Sequence, residues 1–151
     1  MSLPLPPPMR RALELAELSA AAGEVPVGAV ITMDQTIIAE GSNAMRGAAD
    51  PTAHAEIVAI RAAAVRLDTS RLDDCTLWVT LEPCAMCAAA IALSRVRALR
   101  FGAEDPKGGA VLHGPRLFDQ PTCHHRPDVL GGIGEDQSAE LLRTFFAERR
   151  R

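Results

Sequence analysis

Two short patterns constrain this chain more than anything else in it. One is His54-Ala55-Glu56. The other is Pro83-Cys84-Ala85-Met86-Cys87, with Cys84 standing 30 positions after His54. Each stands at the head of a helical stretch. Thr52 is placed to cap the apolar-periodic run Ala53–Arg66, and Pro83 suits the first turn of a helix over Cys84–Ser94. Cys84 and Cys87 are three apart and so share a helix face. A thiolate near a helix N-terminus meets partial positive charge, which favours its ionised, metal-binding form. If the two patterns make one site, the fold must bring two distant helix starts together.

His54, Cys84 and Cys87 supply one imidazole and two thiolates, ligands that suit zinc. Three protein ligands leave a fourth tetrahedral position for water, the arrangement of a catalytic rather than a structural zinc site. Zinc lowers the pKa of bound water to about 7. Glu56, two residues after His54, can stand beside the metal without binding it and carry protons. Other readings exist. A C-x-x-C pair in a reduced compartment can be a redox pair or half of a structural zinc site. The structural site would need a fourth ligand from Cys75, Cys123, His113, His124 or His125, all less regularly placed. A thioredoxin-type pair would follow the first strand of its domain, whereas this one comes late. A closed structural site also has no use for a proton carrier such as Glu56.

The rest of the chain reads as alternating elements. Met9–Ala22 is an amphipathic helix with Gly23 as its stop. Val25–Met33 and Thr36–Glu40 form a hairpin about Asp34-Gln35. Gly41–Pro51 is a loop. Thr76–Leu81 and Val96–Gly102 are further strands, and Glu135–Arg150 is a helix with Leu141, Leu142, Phe145 and Phe146 on its apolar side. Asp105–Asp128, rich in Gly, Pro and His, resists assignment beyond a short helix near Val111–Phe118. This order predicts an α/β fold: a three-layer α/β/α sandwich around a central mixed five-stranded sheet. The 151 residues suit one domain over 9–151, preceded by a Pro-rich, disordered lead-in over 1–8. That lead-in lacks the basic start and apolar stretch of a secretory signal, and no apolar run is long enough to span a membrane. The four cysteines are therefore not expected to form a disulfide framework. A net charge of −3 argues against a uniformly nucleic-acid-binding surface, yet Arg143 and Arg149–Arg151 cluster at the C-terminus.

The H-x-E…P-C-x-x-C pattern is the signature of zinc-dependent deaminases, and the chain resembles the bacterial tRNA-specific adenosine deaminases of the cytidine deaminase-like superfamily. The resemblance runs from about Met9 to the end. It is carried by Glu24–Val30, Asn43, Asp50–Ile57, Thr76–Cys87, Ser94-Arg95, Phe101–Ala103, Phe145-Phe146 and the Arg tail. It implies a cytidine deaminase-like fold and hydrolysis of adenosine to inosine at the wobble position of a tRNA anticodon. It implies one Zn2+ per subunit on His54, Cys84 and Cys87, with Glu56 as proton shuttle. It implies substrate contacts from Asn43, from the backbone around Pro83 and Cys84, and from Asp105 and Lys107. It also implies a homodimer in the cytoplasm, with no membrane, whose partner is a tRNA anticodon loop. From the residues alone, Asn43 reads first as a turn residue, and the Arg tail reads equally as a solvated charged end. Segment Gly108–Pro127 departs from the family pattern. Cys75, Trp78, Phe118 and Cys123 read as packing, and His124 and His125 as residues within reach of RNA. The alternatives are deamination of a free guanine, cytosine or adenosine-type substrate, and a non-catalytic zinc module.

Overall fold

The computed structural model describes residues 4–149. The elements run α1 (Pro7–Ala21), β1 (Gly28–Met33), β2 (Thr36–Ser42), α2 (Ala55–Leu67), β3 (Cys75–Leu81), α3 (Ala85–Ser94), β4 (Ala98–Ala103), β5 (Asp128–Leu130) and α4 (Glu135–Arg149). The sheet order is β2-β1-β3-β4-β5. Strand β1 lies antiparallel to both β2 and β3, while β4 and β5 run parallel to β3. Helices α1 and α4 cover one face, and α2 and α3 cover the other. This is the expected three-layer sandwich with a mixed five-stranded sheet.

The alternation of side chains along each strand feeds two cores. Ala29, Ile31, Leu77, Val79, Leu99 and Phe101 join the alanines of α2 and Ile91 of α3 in the larger one. Trp78 faces the smaller core of Met9, Ala12 and Leu13, and its indole N–H donates to Thr32 at 3.1 Å. The helices lie close because the strands offer glycine. A Cβ on Gly28 would strike the α1 backbone at Ala12 and Ala16, and one on Gly41 would strike α2 at Ala55 and Ala59. The hairpin turn at Asp34-Gln35 takes φ of 50° and 67°, the paired positive values of a type I′ turn that matches strand twist.

Several boundaries differ from the sequence reading, each for a local reason. Helix α1 begins inside the expected lead-in, because proline is tolerated in a first turn. Leu5 packs on the smaller core. The first three residues of the lead-in lie outside the described residues, as do Arg150 and Arg151. Strand β1 starts at Gly28 rather than Val25, since Val27 N–H turns back to the Val25 carbonyl at 2.9 Å. Thr52 does not cap α2; its hydroxyl and amide both go to Asp50, and His54 occupies the cap. Pro83 falls just before α3, whose cap is Cys84. The short helix expected over Val111–Phe118 is only a 3₁₀ turn at Leu117–Asp119. The amides of Val111, Leu112 and His113 are instead directed to Glu82. Cys75 and Phe118 are core residues, and Cys123 packs against the larger core. No helix among the described residues is long and apolar enough to cross a membrane.

Candidate active site

The two patterns meet at the carboxyl end of β3, where open α/β sheets place their ligands. His54 and Cys84 take the cap positions of α2 and α3 with extended backbone, and neither makes a side-chain cap bond. Their side chains are thereby free to converge. His54 Nδ1 lies 3.6 Å from Cys84 Sγ and 3.5 Å from Cys87 Sγ, and the three donor atoms fall within 4.8 Å of one another. Tetrahedral zinc, with bonds of about 2.0–2.1 Å to nitrogen and about 2.3 Å to sulfur, separates the two donors by about 3.6 Å. The donor set therefore fits zinc in both chemistry and spacing.

The Cys84 thiol is pulled down to about 5, chiefly because the Cys87 thiol donates to it, with the His54 imidazole adding to the effect against the cost of burial. Cys87 moves up, as the donor in that bond and through burial. The pair thus shares one proton, which a divalent cation would replace. Glu56 is 4% exposed. Burial raises its carboxyl to about 7, and the negative charge of Cys84 adds to the rise. A carboxyl so placed can both accept and release a proton near neutrality.

His54, Cys84 and Glu56 line a cleft of about 210 Å³ with apolar walls from Val25, Val27, Met45 and Leu81, and Cys87 is buried beneath it. Asn43 and Asp105 also line it. Asn43 is 8% exposed; its amide N–H donates to the Val27 carbonyl and its own carbonyl accepts from Ser19. Among the described residues its side-chain amide has no hydrogen-bond partner. Lys107 lies farther out, in an adjoining groove of about 720 Å³ with Leu142, Phe146 and Arg149. Pro83 is buried behind Cys84 and does not line the cleft; its carbonyl accepts from Ala110 N–H at 2.9 Å.

Two acids escaped the sequence reading. Glu82, 2% exposed, accepts from Asp105 N–H, Val111 N–H, Leu112 N–H, His113 N–H and His113 Nδ1. Glu24, 5% exposed, accepts from Arg46 N–H and Gly47 N–H. The only signal for Glu82 was a charge between the end of a buried strand and Pro83. On α4, Phe145 is buried while Phe146 is 43% exposed toward the outer groove. The Arg149 guanidinium sits 3.8 Å above the Phe145 ring.

A model of the MafB19-like deaminase family matches residues 7–149. A tRNA-specific adenosine deaminase of Agrobacterium fabrum is 54% identical over 94% of this chain and 93% of its own. A chain solved in structural work on A-to-I editing by tRNA:A34 deaminases superposes with a TM-score of 0.88 at 52% identity, covering 89% of this chain and 98% of that one. A guanine deaminase of Bacillus subtilis gives a TM-score of 0.64 at 37% identity, covering 95% of this chain and 92% of that one.

Proposed function

The chain belongs to the MafB19-like deaminases and, among them, to the tRNA-specific adenosine deaminases, and from that premise we propose that it converts adenosine to inosine at the wobble position of a tRNA anticodon. The single observation that carries this reading is that the donor cluster of His54, Cys84 and Cys87 stands, with Glu56, at one cleft with room for a base. His54, Cys84 and Cys87 hold one zinc ion per subunit. When bound, zinc supplies Lewis-acid activation of water at neutral pH.

The chain's own groups do the rest. Glu56 takes a proton from the attacking water and delivers it to the base. The water oxygen adds at carbon six of adenine; Glu56 then carries the remaining hydroxyl proton to the amino group, which leaves as ammonia. The apolar walls exclude bulk water, which strengthens each polar contact inside. The target base must be out of its stack to reach the cleft, and an anticodon loop presents such bases. The unpaired side-chain amide of Asn43 suits contact with the edge of that base. Asp105 shapes the wall, and Lys107 and Arg149 in the outer groove suit flanking phosphates. Pro83 acts by fixing Cys84 and the Ala110 amide. The working form is a homodimer joined through α3, where Leu93 is 79% exposed, and the loop that follows it. The substrate is met in the cytoplasm.

A second reading has its own support in the likeness to guanine deaminase: a free purine base as substrate. The test is incubation of zinc-loaded protein with a tRNA carrying a wobble adenosine, beside free adenosine, guanine and cytosine. Inosine in the tRNA with no ammonia from the free compounds is the expected result. Ammonia from guanine alone would replace the tRNA reading with the second one.

A further inference from the structure

We propose that Glu82 is a positioning residue that suspends the 105–113 loop from the end of β3 and so fixes the outer wall of the cleft. The segment from Glu104 to Arg116 holds neither helix nor strand, and no regular pairing gives it a shape. Besides Ala110 N–H on the Pro83 carbonyl and a few backbone bonds within the segment, its shape is held by one buried carboxylate. Glu82 Oε1 accepts from Asp105 N–H at 3.0 Å and from His113 Nδ1 at 2.8 Å. Oε2 accepts from three successive amides: Val111 at 3.1 Å, Leu112 at 2.9 Å and His113 at 3.2 Å. Both ends of the loop therefore close on one side chain.

The loop is built to keep that carboxylate in place. A Cβ on Gly109 would overlap the Glu82 carboxylate and the Asp105 carbonyl, so only glycine fits there. The Asp105 side chain accepts from Lys107 N–H and Gly108 N–H, carrying the constraint outward. Asp105 and Gly108 line the cleft, and Lys107 edges the groove beyond it. A buried charge is tolerated only when its lone pairs are filled, and here five donors fill them. Glutamine has the same shape but presents an NH2 group where the site offers only donors.

The substrate arm of the test rests on the tRNA reading; the exchange arm does not. Zinc-loaded wild type and Glu82→Gln are compared on an anticodon stem-loop RNA with a wobble adenosine, and by amide hydrogen exchange. In the variant, amides 105, 111, 112 and 113 are expected to exchange about tenfold faster or more, with β3 and β4 unchanged. KM for the RNA is expected to rise about tenfold with kcat within about threefold, at unchanged zinc content. Gly109→Ala, which presses on the same carboxylate from the loop side, is expected to reproduce the KM-weighted defect and serves if Glu82→Gln does not fold. Unchanged exchange at these amides in the folded variants overturns the proposal. So does lost zinc with lower kcat and unchanged KM, which would assign Glu82 to the metal helix. A wild type that leaves the RNA unaltered refutes the tRNA reading, and exchange alone then decides the role of Glu82.

Discussion

Glu56 and Glu82 are the same residue type, both almost wholly buried, and both line the same cleft. Their carboxyls move in opposite directions. Glu56 is raised to about 7 because burial outweighs the little it receives, a bond from its own amide and the thiol of Cys87. For Glu82 burial also pushes upward, but bonds from Asp105, His113, Leu112 and Val111 outweigh it and hold the carboxyl below its usual range. Burial pushes both upward, more strongly at Glu56, and at Glu82 the supply of donors reverses the direction. An acid short of donors can exchange a proton, whereas one saturated with donors is fixed as an anion. Such a split between neighbouring acids is what the proposed roles require: a proton carrier at Glu56 and a fixed anion at Glu82.

The largest effect should come from the ligands beside which Glu56 sits. Cys84→Ser is expected to lower zinc well below one ion per chain and to remove deamination with it, read by elemental analysis and ammonia release. Glu56→Gln comes next. It should cut turnover by about 10²–10⁴-fold while keeping the zinc content of the wild type. With the metal stripped, its thermal midpoint should hold or rise, since a neutral amide replaces an acid whose charge the metal-free site disfavours. Zinc loss in this variant would make Glu56 a ligand and end the contrast with Glu82.

The contrast also marks how far the sequence could be read. Glu56 was legible as a candidate because its place beside the donor cluster depends on a local spacing, two residues from His54 at a helix start. The ligands were legible for the same reason. Strands β1, β3 and β4 followed from apolar runs, and the mixed sheet from their alternation with helices. Glu82 was not legible, because its partners stand 23 to 31 residues away in a segment with no period of its own. The same bonds explain the false short helix over Val111–Phe118, whose amides were already committed to Glu82. The caps failed in a related way. Thr52 has the chemistry of a cap, but His54 holds the position because its side chain is required in the site. Phe146 looked like part of the apolar side of α4, yet of the two phenylalanines only Phe145 is buried, and Phe146 lines the outer groove.

The next effect in size tests Glu82 as architecture. Glu82→Gln leaves buried amides without an acceptor, at a cost of about 1–3 kcal/mol. At roughly 2–4 °C per kcal/mol for a chain of this size, the thermal midpoint should drop by several degrees, the reverse of the outcome for Glu56→Gln. An unchanged midpoint would mean that water replaces the carboxylate and that the saturation of Glu82 does not matter.

The smallest effect belongs to an acid with neither burial nor many donors. Asp128 pairs with Arg100 at 2.9 Å across the β4–β5 edge, with its side chain 76% exposed. Water solvates that carboxylate nearly as well as the guanidinium does, and holding two long side chains together costs entropy. Arg100 also keeps its bonds to the carbonyls of Leu99 and Asp128 when the acid is removed. Asp128→Asn should therefore change stability by less than about 1 kcal/mol and leave both kcat and KM unaltered. A larger loss of midpoint, insensitive to added salt, would mean that proximity of charge suffices without burial, and the division between Glu56 and Glu82 would then need a cause other than their donors.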